Sequence, residues 1–168
     1  MPLESAVRRA ALAALLLASA ALCCALEAGD AAPKFANPDL RGDYVRYQGV
    51  IGTKWVIINF FATWCGPCKE EIPSLEALQR EVGAERLQVI VFATDKEKES
   101  VREYFERNPT NLTIVLDPYQ VTYQRYNPGE DSLPTIFLVN PQGTIELRHV
   151  GYSPEFIDRV RAVVLREK

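Results

Sequence analysis

The hydrophobic period changes abruptly between residues 55 and 82, and few folds accommodate that change. Trp55-Val56-Ile57-Ile58-Asn59-Phe60-Phe61 is a continuous apolar run broken only by Asn59. Such a run, rich in β-branched and aromatic residues, predicts a strand buried on both faces. Immediately afterwards Ile72, Leu75, Leu78 and Val82 recur at helical spacing, with Lys69, Glu70, Glu76, Gln79 and Arg80 between them. A both-faces-buried strand feeding an amphipathic helix is the start of an α/β arrangement, in which helices cover a sheet. At the junction stands Trp64-Cys65-Gly66-Pro67-Cys68. Chemistry in such sheets gathers at the carboxyl ends of the strands, which is where this segment falls.

The rest of the chain continues the alternation. Residues from about 28 to 41 read as an extended entry segment, Asp43 to Gln48 as a short strand, and Gly49 to Lys54 as a turn. Pro73 should kink the helix near its start, and Gly83 should stop it. Leu87 to Ala93 is a second buried strand, followed by a helix over Glu97 to Arg107, a strand over Leu112 to Leu116 and a short helix over Tyr119 to Tyr126. Leu133-Pro134-Thr135 leads into a strand over Ile136 to Val139, and Asn140-Pro141-Gln142-Gly143 turns it into an antiparallel strand over Thr144 to Val150. Ser153 caps and Pro154 opens a last helix with Phe156, Ile157, Val160 and Val164 inward. The expectation is an α/β fold with a mixed central sheet flanked by helices.

The cysteine pair suits redox chemistry. A thiolate, not a thiol, attacks a disulfide. Cys65 lies where the helix begins, and free backbone N–H groups and the helix dipole favour negative charge there. Two intervening residues let Cys68 close a disulfide with it. Pro67 fits a first helical turn, and Gly66 adds little bulk beside the sulfur. Attack by Cys65 gives a mixed disulfide, and attack by Cys68 resolves it. The peroxidatic pattern Pro-x-x-x-Thr-x-x-Cys is not matched, because Thr63 stands only two residues before Cys65. Two domain cysteines and the distant His149 cannot furnish a four-ligand zinc site, so no metal is expected. No cofactor is expected beyond the redox-active Cys65–Cys68 pair. His149 reads as a strand-surface residue, and Asn111-Leu112-Thr113 is a glycosylation sequon by pattern alone.

Phe60-Phe61-Ala62-Thr63-Trp64-Cys65-Gly66-Pro67-Cys68 resembles the active site of the thioredoxin superfamily. Pro73 resembles its helix-kinking proline, and Leu133-Pro134-Thr135 its cis-proline loop. Ala32-Pro33-Lys34-Phe35, Asn59, Glu70-Glu71-Ile72-Pro73 and the Asn140–Gly143 turn are most similar to the TlpA/ResA-like group of exported reductases. The resemblance covers nearly all of the chain after about residue 30 and implies a thioredoxin-like domain over residues 29–168. It implies Cys65 as nucleophile, Cys68 as resolving thiol and Pro134 in cis. Trp64, Gly66, Pro67, Leu133, Pro134 and Thr135 would form the substrate-docking surface. Asn59 departs from thioredoxin, which carries a buried Asp at this strand position. Glu71, one turn beyond Cys68, is the expected proton-handling carboxylate in its place, and Asn59 would support it.

Residues 1–28 read as a signal peptide or an N-terminal membrane anchor. Arg8 and Arg9 precede an Ala/Leu-rich run from Ala10 to Leu26, which Glu27 and Asp30 end. Cys23 and Cys24 lie within that run, either as apolar filler or as a lipid-attachment residue. The expected location is extracytoplasmic, periplasmic in a Gram-negative host, with the protein secreted or tethered through residues 10–26. Acids and bases are interleaved and the net charge of the 168 residues is -3, which excludes the basic footprint of a nucleic-acid binder. The expected function is reduction of disulfides in exported proteins, and the resemblance implies apocytochrome c, in cytochrome c maturation, or another periplasmic protein as substrate. The resemblance also implies an upstream membrane thiol reductant as the electron source, and the enzyme is expected to be a monomer. The alternatives are a disulfide-forming oxidase or isomerase, and a module that holds thiol clients without turnover.

Overall fold

The computed structural model describes residues 25–166. Most of the leader therefore lies outside the described residues. Among the described residues no helix is long and apolar enough to cross a membrane.

The elements are β1 (Ala36–Pro38), β2 (Tyr44–Arg46), α1 (Tyr47–Val50), β3 (Trp55–Phe61), α2 (Gly66–Val82), β4 (Leu87–Ala93), α3 (Lys98–Arg107), β5 (Thr113–Leu116), α4 (Val121–Tyr126), β6 (Thr135–Val139), β7 (Ile145–Val150) and α5 (Pro154–Arg166). A five-stranded sheet runs β5-β4-β3-β6-β7, and β1 and β2 form a separate two-stranded ribbon. β3, β4 and β5 are parallel, while β6 and β7 are antiparallel to their neighbours. Two successive crossovers in one direction leave α2 and α3 on the same face of the sheet, sharing one core with α5.

β3 is central and every one of its seven residues is buried. Its side chains alternate between two cores. Trp55, Ile57 and Phe61 pack under α2, α3 and α5, whereas Val56, Ile58 and Phe60 face the N-terminal segment, α1 and α4. The amphipathic pattern of α2 is borne out: Ile72, Leu75, Leu78 and Val82 are all buried. The helix runs through Pro73, which cannot donate to the Lys69 carbonyl, and ends at Gly83 with φ 92°.

Two expectations need correction. The strand expected over Asp43–Gln48 is only Tyr44–Arg46, and from Tyr47 the chain makes a single helical turn that takes in Gly49, where a turn over 49–54 was expected. The entry segment is not merely extended. Its residues 36–38 pair with β2, and Asp39 bridges Val115 at the edge of the sheet. Buried Asn37 fixes this join, donating to the Leu116 carbonyl at 2.9 Å and accepting from the Thr122 hydroxyl at 2.8 Å.

Contacts of the folded unit begin ahead of residue 29. Leu26 packs against the second core, and Arg148 pairs with both Glu27 and Glu130.

Candidate active site

The site lies where the strand order changes sense. β3 has parallel β4 on one side and antiparallel β6 on the other, and the cysteine motif follows its carboxyl end. Cys65 is the N-cap of α2, and its Sγ accepts the Cys68 N–H at 3.2 Å. Cys65 and Cys68 form a disulfide with a Cα separation of 5.3 Å. Cys65 is 5% exposed and Cys68 1%, whereas Gly66 and Pro67 are exposed and Trp64 is 72% exposed. Only an edge of the pair meets solvent, and Trp64 projects beside it.

The register of β6 brings the second half of the site to the same end. Thr135 pairs with Phe60, so Pro134 falls level with the last residue of β3. The Leu133–Pro134 peptide is cis. Thr135 donates its hydroxyl to the Ser132 carbonyl at 2.6 Å, and the Tyr123 hydroxyl accepts the Ser132 N–H at 2.8 Å. Pro134 and Thr135 are buried and Leu133 is half-buried.

Beneath the motif the structure joins two further expected residues. Glu71 lies three residues after Cys68 on the buried face of α2 and is fully buried, while Glu70 beside it is exposed. Asn59, on the α2 side of β3, donates from its amide nitrogen to Glu71 Oε2 at 2.5 Å. Burial pushes the Glu71 carboxyl up to about 8, and the hydrogen bond from Asn59 works in the opposite direction. Glu71 Oε1 and Asn59 Oδ1 are buried without a protein partner. An unpartnered buried carboxylate oxygen is costly when the group is charged and less so on the neutral acid, which carries a donor of its own. The pair therefore suits a carboxyl group that holds its proton at neutral pH and titrates near a thiol.

One buried acid escaped sequence reasoning. Asp95, just after β4, is 7% exposed and accepts from the Thr63 N–H at 3.0 Å and from the Thr63 hydroxyl. In sequence, Thr94-Asp95-Lys96-Glu97 reads as a solvated loop. Its place at a strand's carboxyl end was the available signal. His149, half-buried on edge strand β7, stacks on the buried ring of Phe156 at 4.7 Å. No cluster of His, Cys, Asp and Glu able to hold a metal occurs among the described residues.

Residues 28–148 match the AhpC/TSA family. The chain belongs to that family. Thioredoxin-like protein YneN of Bacillus subtilis is 33% identical over 129 residues, covering 75% of this chain and 73% of that protein. Thiol-disulfide oxidoreductase ResA of Geobacillus kaustophilus is 32% identical over 122 residues, covering 73% and 68%. A crystal structure assigned as thiol:disulfide interchange protein DsbE from Chlorobium tepidum superposes with a TM-score of 0.76 at 30% identity, covering 84% of this chain and 98% of that one. Fold, relatives and the Cys65–Cys68 disulfide agree: the protein is a thioredoxin-like, ResA-like thiol–disulfide oxidoreductase.

Proposed function

We propose that this oxidoreductase works as a reductase of disulfides in exported proteins, with Cys65 as its nucleophile. The placement of Cys65 carries the reading. Its sulfur sits at the start of α2 against the Cys68 N–H, where a thiolate gains a hydrogen bond and the favourable end of the helix dipole. The Cys65 thiolate attacks one sulfur of a substrate disulfide, and the other substrate sulfur leaves and takes a proton. The ionised form of Glu71, populated as the pH approaches its value of about 8, accepts the proton of the Cys68 thiol. Cys68 then attacks the Cys65 sulfur and expels the second substrate thiolate. Two electrons pass to the substrate, and the protein is left with the disulfide seen here. A dithiol must reduce it again before the next turnover.

Trp64, Gly66, Pro67 and half-buried Leu133 form the proposed docking surface beside the redox pair, with buried Pro134 and Thr135 supporting it from within the loop. Asn59 supports Glu71. Export rests on the Arg8-Arg9 region and the apolar run over residues 10–26. A leader or anchor over residues 1–28 would present the domain outside the cytoplasm, where a membrane thiol reductant supplies electrons. Apocytochrome c is the proposed substrate, and Gly66-Pro67, the dipeptide of reducing thioredoxins, favours reduction over disulfide formation. The functional unit is proposed to be a monomer that needs no metal and no cofactor beyond the cysteine pair.

The test is a pair of substitutions. Cys65→Ser should lose all reduction of a protein disulfide such as that of insulin, and Cys68→Ser should accumulate mixed disulfides with its clients. Normal insulin reduction by the Cys65→Ser protein would remove the assignment of the nucleophile.

A further inference from the structure

The segment that carries the nucleophile is clasped from β4. Thr94 donates both its N–H, at 2.9 Å, and its hydroxyl, at 3.1 Å, to the Phe61 carbonyl. In return Thr63 donates its N–H to both Asp95 oxygens, at 3.1 and 3.0 Å, and its hydroxyl to Oδ1. The Cys65 N–H closes a turn on the Ala62 carbonyl at 3.1 Å. The Phe61 and Ala62 carbonyls and the Thr63 and Cys65 N–H groups are thus held between the end of β3 and the start of α2, and Asp95 holds Thr63. Trp64 is 72% exposed and contributes no comparable anchor. A buried carboxylate that accepts two different donors of one residue is a directional restraint that an apolar contact could not supply.

We infer that Asp95 is a positioning residue of the redox reaction: through Thr63 it holds the Cys65 sulfur at the start of α2. The inference rests on the reading of Cys65 as the attacking thiol and adds the device that keeps it placed. The geometry matters because the benefit of a helix start to a thiolate is confined to the first turn. A nucleophile free to swing away from the Cys68 N–H loses that hydrogen bond, and its thiolate becomes harder to form. β4 thereby contributes to reactivity although it carries no reacting group.

The experiment compares wild type, Asp95→Ala, Asp95→Asn and Thr63→Val as full-length reduced proteins. The readout is the pH profile of Cys65 alkylation by iodoacetamide, followed by peptide mass so that Cys23 and Cys24 do not contribute. The α2 charges nearest in sequence to Cys65, on Lys69, Glu70 and Glu71, are common to all four proteins. Positioning predicts that the Asp95→Ala profile moves to higher pH and its rate at neutral pH falls about three- to tenfold. Asp95→Asn retains an oxygen that can accept the Thr63 N–H and should fall in between. Thr63→Val removes only the hydroxyl and should show a smaller shift in the same direction, which keeps the test open if an Asp95 variant does not fold.

Loss of a negative charge alone would move the profile the other way, to lower pH. A purely structural role would lower the unfolding midpoint and leave the profile in place. Either result overturns the inference. Failure of the underlying reading looks different: in that case Cys65 of the wild-type protein would show no enhanced reactivity at neutral pH.

Discussion

Asn59 and Phe60 are neighbours on β3, and they face two differently built halves of the molecule. Phe60 enters a face where aromatic rings close on one another. Its ring lies 5.3 Å from Phe92, 5.3 Å from Tyr123, 5.5 Å from Tyr126 and 6.2 Å from Phe137. The tyrosine hydroxyls there are satisfied: that of Tyr126 donates to the Pro33 carbonyl at 2.8 Å, and that of Tyr123 bonds Ser132. Asn59 enters the opposite face, where it meets a fully buried Glu71 and both side chains keep an acceptor unpartnered. One face is arranged for packing. The other gives up stability to keep a carboxyl group with a raised pKa next to the redox helix. A shift of one residue along the strand separates the two purposes.

Substitutions on the two faces should separate in the same way. The largest effect on stability is expected on the aromatic face. Phe60→Ala should cost about 3 to 5 kcal/mol in denaturant unfolding, and a much smaller loss would mean that the ring cluster contributes little. Glu71→Gln should do the reverse. Its carboxyl is ordinary when unfolded and raised to about 8 when folded. Below both values the folded and unfolded chains hold the same proton. As pH rises towards 8 the unfolded chain ionises and the folded one resists, so stability is lost. Removing the acid should therefore stabilise the protein by about 3 kcal/mol near pH 7 and by much less near pH 4.

The same Glu71→Gln substitution should slow turnover about tenfold to a hundredfold and flatten its pH profile near 8. A stabilised variant with unchanged turnover would leave the face without its proposed chemistry. The smallest effect is expected from Asn59→Ala. The Asn59 hydrogen bond lowers the Glu71 pKa, so its loss should move the limb of the turnover profile assigned to Glu71 to higher pH. A shift to lower pH would contradict the pairing.

The central strands and the redox motif were legible because their signals are local. The apolar runs over β3 and β4 and the phase of α2 need only neighbouring residues, whereas Glu71 was expected from its place one turn beyond Cys68 and from the family resemblance. What escaped depends on distant partners. β1 has three residues and exists only against β2, and Asn37 is buried only because Leu116 and Thr122 receive it. Asp95 reads as one charge among several in a loop, and its partner Thr63 lies 32 residues away. The turn at Tyr47–Val50 formed across a glycine that suggested a break, because the Tyr47 N–H reaches the Phe35 carbonyl at 3.0 Å and Val50 is buried.

The direction of electron flow turns on whether the Cys65–Cys68 pair is reducing. The direct measurement is its equilibrium reduction potential in the full-length protein, quantified on the Cys65–Cys68 peptide against thiol–disulfide buffers. A dedicated reductase predicts a value at or below that of thioredoxin, about -270 mV. A value near that of the strong oxidant DsbA, about -120 mV, would make disulfide formation the reaction and contradict the proposed direction of electron flow.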